Sequence, residues 1–508
     1  MNTKPNHFGT GPHGAPRGSL IHRATIVLAA ALPLLAVSAM GALTRSVAGE
    51  VTFPLKKSAN GRYVVDQNNR PFFIHGDSPW SIIAQLSKQD AERYLDRAAG
   101  FGYNAIIVNI VEHYFSDNPP KNHAGDAPFT TSGDFSTPNE AYFAHADWVL
   151  RKAAEKSILV LLFPAWPAAQ GRPRGWNQEI LKNGPAKCRQ YGSYLGKRYE
   201  KFRNIIWGHG GDQNPETGSP MANNLLEILL GIRDVAPQQM HFYHGNRGRT
   251  SLDQENFAPH VALEAVYTGD DINAPARIGE PYATSLKAYN REKFLPHFLF
   301  EGRYERQGPQ GPSAPETDDR GRLRRQHYWM NLCGSTGHFF GNYPVWMLAK
   351  EWDGPDGLGS AGNRDMRHLK ALFTARAWWK LVPDQDHSTV TAGYGTYKQG
   401  DYVTSGRAAD GSFVIAYVPA TATGSRTLTV NLAKLGGPVR AQWFNPATGQ
   451  YTAISGSPFP NHGTRDFTTQ GDNGTGKDDW VLVLEAAPAS SNPNDATKGR
   501  GRGEHASP

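Results

Sequence analysis

The chain has 508 residues, of which 39% are hydrophobic and 11% aromatic. This length exceeds one ordinary hydrophobic core, so a large domain with a smaller companion is expected. The formal net charge is +7, but residues 1–48 hold four cations and no acid, which leaves 7 − 4 = +3 for the rest. The remaining Lys and Arg residues are scattered among acids, which excludes a nucleic-acid-binding surface.

The N-terminal region has the pattern of an export signal. Residues 24–43 are almost wholly apolar, Arg17 and Arg23 precede them, and small residues follow up to position 48. This pattern predicts a signal peptide over residues 1–48. The apolar run is also long enough to span a membrane, so an uncleaved N-terminal anchor stays open. Either alternative places the protein outside the cytoplasm, as a secreted, periplasmic or cell-surface protein.

Cysteine is scarce, with only Cys188 and Cys333 in the sequence. Two cysteines exclude a disulfide framework and a cysteine-rich zinc site. Both lie in predicted helices, which favours two buried thiols over a single disulfide bridge.

Residues 52–385 alternate between short apolar runs and helical patterns. A capping box at Ser87-Lys88-Gln89-Asp90 opens one of these helices. Apolar runs without polar alternation are typical of parallel strands that are buried on both faces. Eight such units predict an α/β fold, a (β/α)₈ TIM barrel. The predicted strands are 72–75, 105–108, 158–163, 204–207, 241–244, 262–267, 297–300 and 338–340.

The pattern changes after Pro383 to short alternating runs separated by Gly, Pro, Asn and Asp, with strands predicted at 413–417, 427–432, 439–444 and 480–484. These runs predict an all-β sandwich over residues 388–487. A chain ending near residue 385 should then fold if the interface between the two domains is modest. Residues 488–508 contain no large apolar side chain, which predicts a disordered tail.

Two carboxylates stand where barrel active sites are built. Asp212 follows the fourth predicted strand, and Glu301 ends the seventh. Active-site groups of a barrel project from the C-terminal ends of its strands. Cleavage of a glycosidic bond needs two carboxylates, one to protonate the leaving oxygen and one to attack or to activate water. Asp212 and Glu301 are therefore the predicted catalytic pair, although loop capping is an alternative role for Asp212.

Other polar and aromatic side chains follow the predicted strands and are candidates for sugar contact. They are Asp77, Trp80, His113, Trp166, His209, His244, Tyr267, Arg303, Tyr304, Glu305, Asn342 and Trp346. A metal site is not expected, because His241 and His244 point to opposite faces of one strand. No cofactor is predicted, and the sequence does not determine the oligomeric state.

Five separated motifs resemble the apiosidase-like family of glycoside hydrolases, and the likeness covers residues 52–385. The motifs are His75-Gly76-Asp77-Ser78-Pro79-Trp80, Phe101-Gly102-Tyr103-Asn104, Trp207-Gly208-His209-Gly210-Gly211-Asp212, Glu301-Gly302-Arg303-Tyr304-Glu305 and the segment 328–346. The resemblance implies a TIM-barrel exo-glycosidase that acts on plant pectic side chains, with Asp212 and Glu301 as its pair. Residues 441–449 and 478–482 resemble the collagen-binding-type β domain that accompanies this family.

The sequence therefore predicts a secreted glycoside hydrolase that removes a terminal sugar, with apiose as one candidate, from cell-wall oligosaccharides. The alternative is a surface protein that binds carbohydrate or matrix without catalysis, although the presence of both carboxylates argues against it. A polysaccharide lyase would need a Tyr or His base beside a cation, and Arg303-Tyr304 offers only a weak version of that arrangement.

Overall fold

A computed structural model describes residues 50–169, 174–269, 277–307, 320–421 and 424–487. The predicted signal at 1–48 and the predicted tail at 488–508 lie outside the described residues. Within the described ranges, no helix has the length and apolarity that a membrane span requires. Both cysteines are buried, and no disulfide joins them, as the sequence favoured.

A short hairpin precedes the barrel strands in the sequence. Strands β1 (Lys56–Lys57) and β2 (Val64–Val65) pair antiparallel. The eight strands of the barrel follow at the predicted places, with one short strand added after the fifth. They are β3 (Ile74–Asp77), β4 (Ala105–Asn109), β5 (Leu159–Phe163), β6 (Ile205–Gly210), β7 (His241–His244), the short β8 (Arg249–Thr250), β9 (Glu264–Tyr267), β10 (His297–Glu301) and β11 (Gly337–Phe339).

Helices separate these strands, and side-chain caps begin several of them. Ser87, Asn139, Ser219 and Ser360 each accept a hydrogen bond from a first-turn backbone N–H, which satisfies an otherwise unpaired donor. The helices are α1 (Ile82–Gln85), α2 (Lys88–Gly100), α3 (Glu140–Glu155), α4 (Asn177–Tyr199), α5 (Pro220–Val235), α6 (Glu280–Tyr289), α7 (Arg320–Leu332), α8 (Tyr343–Trp346) and α9 (Ala361–Thr374).

The barrel sheet has the order β7-β6-β5-β4-β3-β11-β10-β9-β8. The first barrel strand, β3, pairs in parallel with the last, β11, and only the step between β7 and β9 lacks a strand ladder. Ser251 bridges that step, because its hydroxyl donates to the Tyr243 carbonyl and accepts from the Ala265 N–H. The barrel is thus nearly closed.

Alternate residues of β5 face two different cores. Leu159, Leu161 and Phe163 point into the barrel interior, whereas Val160 and Leu162 pack against the helices outside. A strand with two apolar faces needs an unbroken apolar sequence, which explains why the run at 158–163 was readable as a strand.

The C-terminal part is an antiparallel sandwich. One sheet has the order β12-β14-β15-β20-β17-β18, and the other has β13-β16-β19. Four strands lie at predicted positions: β15 (Phe413–Val418), β16 (Thr427–Asn431), β17 (Val439–Phe444) and β20 (Trp480–Ala486). Five shorter strands were not predicted: β12 (Leu381–Pro383), β13 (Val390–Ala392), β14 (Thr404–Ala408), β18 (Tyr451–Ala453) and β19 (Thr464–Thr468).

Residues of the barrel and of the sandwich pack together in one hydrophobic cluster. The folding of a chain that ends near residue 385 stays a prediction. Helix α7 is buried along almost its whole length, between the barrel strands and the sandwich sheet. Its Tyr328 ring stacks on Tyr417 of β15 with 4.6 Å between centroids, and Trp329 donates to the Tyr402 carbonyl. A chain ending near 385 would expose this apolar surface to water.

A buried ion-pair network lies at the same interface. Arg324 on α7 donates two hydrogen bonds to Asp479, at 2.7 and 2.6 Å, and one to Asp365 at 2.9 Å. Asp479 also accepts from Tyr417 and from Asn473. Arg324 and Asp479 are both fully buried, so neither charge has water to replace a lost partner.

The variant Asp479→Ala should lower the free energy of unfolding by about 3–5 kcal/mol, because it leaves the Arg324 charge buried without its bidentate partner. Urea denaturation followed by tryptophan fluorescence measures the change. The control Glu155→Ala removes a pair with Lys152 in which Glu155 is 59% exposed, and it should cost less than about 1 kcal/mol. Equal effects of the two variants would contradict the argument.

Candidate active site

Asp212 is placed by an unusual turn at the end of β6. Gly210, Gly211 and Asp212 have φ values of +73°, +148° and +54°, a region that favours glycine. A Cβ on Gly211 would lie 2.1 Å from the Trp166 indole, so only glycine fits there. The Gly-Gly-Asp motif is therefore a steric requirement, and it turns the Asp212 side chain toward the barrel axis.

Glu301 is placed by an irregularity in β10. Phe298 and Phe300 point into the barrel, and Leu299 points outward, so strict alternation would send Glu301 outward as well. The register between β10 and β9 shifts between Leu299 and Glu301. A bulge of this kind re-aims a side chain, and Glu301 therefore reaches the same side as Phe300.

His244, at the end of β7, lies between the two carboxylates. Its Nε2 is 3.4 Å from Asp212 Oδ1 and 3.3 Å from Glu301 Oε2. One donor atom from each of the three side chains lies within 4.8 Å of the other two. His244 is 1% exposed, whereas Asp212 is 30% and Glu301 16% exposed. The imidazole thus lies on the buried side of the pair, and the two carboxylates face the cleft.

Burial controls the protonation of this cluster. Burial, and secondly the Glu301 charge, raise the pKa of Asp212 to about 7. Burial also raises the pKa of Glu301 to about 7, against the effects of Arg247 and of a hydrogen bond from Tyr304. Burial lowers the pKa of His244 to about 4, so this imidazole is neutral at neutral pH. The site can therefore hold one proton on the carboxylate pair near neutrality.

Hydrogen bonds distinguish the two carboxylates. Trp80 Nε1 donates to the Tyr304 hydroxyl at 2.8 Å, which leaves the hydroxyl hydrogen for the bond to Glu301. Asp212 Oδ1 is buried without a hydrogen-bond partner. A hydrogen bond to the ionised form stabilises that form, so these contacts favour the negative charge on Glu301 over that on Asp212.

Two further side chains lie near the pair, one at the end of β9 and one in the loop after β7. Tyr267 ends β9, and its ring lies edge-on to His244 with 5.2 Å between centroids. Arg247 lies over the Tyr267 ring at 5.6 Å, and its charge lowers the pKa of both carboxyls. Sequence reasoning missed Arg247, although its position three residues beyond the end of β7 was a usable signal.

An aromatic wall connects the two sides of the cleft. It consists of Trp166, Phe115 and Trp346, all partly exposed. Phe115 lies 5.4 Å from Trp166 and 4.6 Å from Trp346, and Trp346 lies 6.3 Å from Tyr304. Trp166 abuts Gly211, next to Asp212. Flat apolar rings of this kind suit sugar faces. Phe115 was also missed, because it lies in the loop that follows β4 and not at a strand end.

His113 lies in the loop beside this wall. Its ring packs edge-on against Trp176, and its Nε2 lies 3.4 Å from Glu179 Oε1. Glu112 fixes the loop by accepting hydrogen bonds from the N–H groups of residues 113, 114 and 115.

The Arg303 backbone is held by Gln326 of α7 through two hydrogen bonds.

Four predicted contact residues are not brought to the cleft, which corrects the expectation for each of them. Asp77 is buried and accepts from Tyr94 of the outer helix α2. His209 faces outward and contacts His241 at 3.0 Å. Glu305 accepts from Asn342, Ser360 and the Gly362 N–H, and Asn342 is itself fully buried. Position after a strand did not reveal which face each side chain takes.

Asp212, His244 and Glu301 form the one group of potential metal ligands found among the described residues. Two carboxylates with a neutral imidazole also meet the needs of a glycosidase that works without an ion. That this site functions without a metal stays a prediction.

Comparison with protein families gives two matches that divide the chain. The family model described as "Apiosidase-like, catalytic domain" matches residues 58–380. The model described as "Putative collagen-binding domain of a collagenase" matches residues 382–485. Comparison with curated proteins gives no match.

Solved structures show the same architecture. A structure titled "Glycoside hydrolase" has a TM-score of 0.70 at 22% identity, over 86% of this chain and 97% of its own. A glycoside hydrolase family 5 protein from Bacteroides vulgatus has a TM-score of 0.71 at 21% identity, over 85% and 93%. Likeness at this identity shows the fold, and the first family match covers more than half of the chain. The chain therefore belongs to the apiosidase-like family of glycoside hydrolases.

Proposed function

We propose that the protein hydrolyses the glycosidic bond of a terminal sugar by a retaining mechanism, with Glu301 as nucleophile and Asp212 as acid and base. The observation that carries this proposal is the closeness of the two carboxylates. One carboxylate oxygen of Asp212 lies within 4.8 Å of one carboxylate oxygen of Glu301. Retaining enzymes keep their carboxyl groups about 5–5.5 Å apart, whereas inverting enzymes need about 6.5–9.5 Å for a water.

The electrostatics of the site support these roles. A general acid must hold its proton near the working pH, and burial with the Glu301 charge raises the pKa of Asp212 to about 7. A nucleophile must be ionised, and the Tyr304 hydroxyl and Arg247 favour the charged form of Glu301. When Glu301 becomes bonded to the sugar its charge disappears. Asp212 then releases its proton more readily and can act as base toward water in the second step.

His244 is a positioning residue in this mechanism. A neutral imidazole carries one N–H, and its Nε2 lies within 3.4 Å of both carboxylates. It lies between the two acids without adding a positive charge, which would lower the pKa of Asp212. Its ring is held by Phe300 at 4.5 Å between centroids and by Tyr267.

For the substrate, we propose a plant cell-wall oligosaccharide with a terminal sugar such as apiose. The aromatic wall of Trp166, Phe115 and Trp346, with 5.4 and 4.6 Å between neighbouring ring centroids, supports contact with units beyond the scissile bond. Incubation with apiose-containing pectic fragments, followed by mass spectrometry of the products, tests this choice. A free terminal sugar supports it. An unsaturated product that absorbs in the ultraviolet indicates a lyase, and intact substrate that stays bound indicates a non-catalytic binder.

We propose that residues 1–48 direct export, on the strength of their charged start, apolar run and small residues. N-terminal sequencing of the protein recovered outside the cytoplasm would locate a cleavage site near residue 48, whereas an intact N-terminus in a membrane fraction would indicate an anchor.

The variant Glu301→Gln should lose about three or more orders of magnitude in kcat with the fold intact, because the attacking carboxylate is gone. Asp212→Asn should spare aryl glycosides with good leaving groups in the first step, since these need little protonation. Initial rates on an aryl glycoside and on the oligosaccharide measure both effects. Glu216→Gln, at an exposed acid in the same loop, is the control with unchanged rates. Turnover near wild type by Glu301→Gln would refute the assignment.

Stability should depend on pH in a direction set by the raised pKa of Asp212. Its folded-state pKa of about 7 exceeds its unfolded value near 4, so the folded chain binds more protons between these values. The contribution of Asp212 to stability is therefore full below about pH 4 and falls as the pH rises through 7.

Asp212→Asn should consequently be more stable than wild type at pH 8, by on the order of 1 kcal/mol after allowance for partial exposure. The difference should vanish below about pH 3, where Asp212 is protonated in both states. Urea denaturation at both pH values measures it, with Glu216→Gln as reference. A constant difference across this range would show that the carboxyl does not titrate as argued.

A further inference from the structure

A second cavity lies at the opposite end of the barrel from the carboxylates. It has a volume of about 470 Å³, within the range of small-molecule sites. Gly334 and Ser335 line it just before strand β11 begins, and Tyr289 lines it at the end of α6. Its remaining lining comes from the β1–β2 turn, from Asn331 of α7, from residues 378–382, where the barrel joins the sandwich, and from Ala409.

Aromatic rings and one fixed cation shape this cavity. The Arg62 guanidinium lies 3.6 Å from the ring centroid of Phe294 and 4.2 Å from that of Tyr289, and it donates to the Tyr289 carbonyl at 2.6 Å. The indole of Trp378 is held edge-on to Tyr63. Trp379, which is partly exposed, is perpendicular to Trp378. Arg62 is thus pre-positioned by its neighbours, which reduces the entropy that a ligand must overcome.

A buried amide in the cavity lacks a partner. The Asn331 side chain is 2% exposed, and its nitrogen donates to the His327 carbonyl and contacts His338 Nδ1. Its carbonyl oxygen has no hydrogen-bond partner. A buried acceptor left in this way is costly, and the Asn331 amide adds a polar group to the lining.

The charge of the lining selects among sugars. Within the part of the chain that the structure describes, Arg62 and Lys380 line the cavity, and no Asp or Glu does. Lys380 is paired at 2.7 Å with Asp410, outside the lining, so the excess positive charge is that of Arg62. Arginine recognises carboxylates through paired N–H donors. An acidic sugar therefore fits this lining better than a neutral one.

We propose that this cavity is a second carbohydrate-binding site, specific for a glycan unit that carries a carboxylate, such as a uronic acid. The aromatic rings of Trp379 and Tyr63 contact the sugar faces, and Arg62 pairs with the carboxylate. Because the site faces away from the carboxylate pair, it holds a different stretch of the polysaccharide from the one being cleaved. Binding here does not depend on the proposed catalytic roles.

The test uses the full chain carrying Glu301→Gln, so that turnover cannot complicate binding. Isothermal titration with trigalacturonic acid, and with neutral galactotriose at the same concentration, compares the two sugars. The acidic trisaccharide should bind, with affinity that falls as salt rises, and the neutral one should bind at least tenfold more weakly. Added Arg62→Gln should weaken trigalacturonic acid binding about tenfold or more.

Arg465→Gln is the matched control, since Arg465 also lies 3.6 Å from a ring centroid, that of Phe459, but outside this cavity. It should leave binding unchanged. Trp379→Ala gives an independent test at a partly exposed ring and should weaken binding if Arg62→Gln fails to fold. Equal affinity for the two sugars, unchanged binding in both Arg62→Gln and Trp379→Ala, or no binding of the acidic trisaccharide would overturn the proposal.

Discussion

The burial of helix α7 is the constraint on which the arrangement of the molecule depends. This helix packs on barrel strands on one side and on the sandwich sheet on the other. Arg324 within it is bound to Asp479 and Asp365 without access to water. A buried charge of this kind tolerates very few geometries, so it fixes the position of the sandwich. The same helix holds the loop after Glu301 through Gln326, and it thereby links domain packing to the active site.

Charge repulsion, burial and hydrogen bonding together set the protonation of the two active-site carboxyls. Two carboxyl groups close together in a partly buried cleft disfavour a second negative charge, and burial adds to that effect. The neighbours of the pair are Tyr304, Arg247 and the neutral His244. They stabilise the two carboxylates unequally, because Glu301 accepts a hydrogen bond from Tyr304 and Asp212 Oδ1 accepts none. In the proposed mechanism, the division of labour between acid and nucleophile follows from the neighbours of each group. Similar carboxyls with different surroundings acquire different protonation states.

The two faces of the barrel combine different chemistries. The C-terminal ends of the strands carry the carboxylates and an aromatic wall, whereas the opposite end carries an aromatic cavity with a single uncompensated cation. The joint between barrel and sandwich forms part of that cavity, because residues 378–382 lead from one to the other. One hydrophobic cluster spans this joint and packs the barrel against the sandwich.

The sequence by itself determined the eight barrel strands, the sandwich after Pro383 and the catalytic candidates Asp212 and Glu301. Strands buried on both faces require unbroken apolar runs, and such runs are legible without coordinates. Only the tertiary structure decided which side chains reach the cleft. Asp212 depends on a left-handed turn and Glu301 on a register shift, and both override the alternation of a regular strand. His209 and Glu305 also sit at or just beyond strand ends but find partners elsewhere, while Arg247 and Phe115 approach from loops. Contacts between residues distant in sequence set these outcomes, and local patterns do not record them.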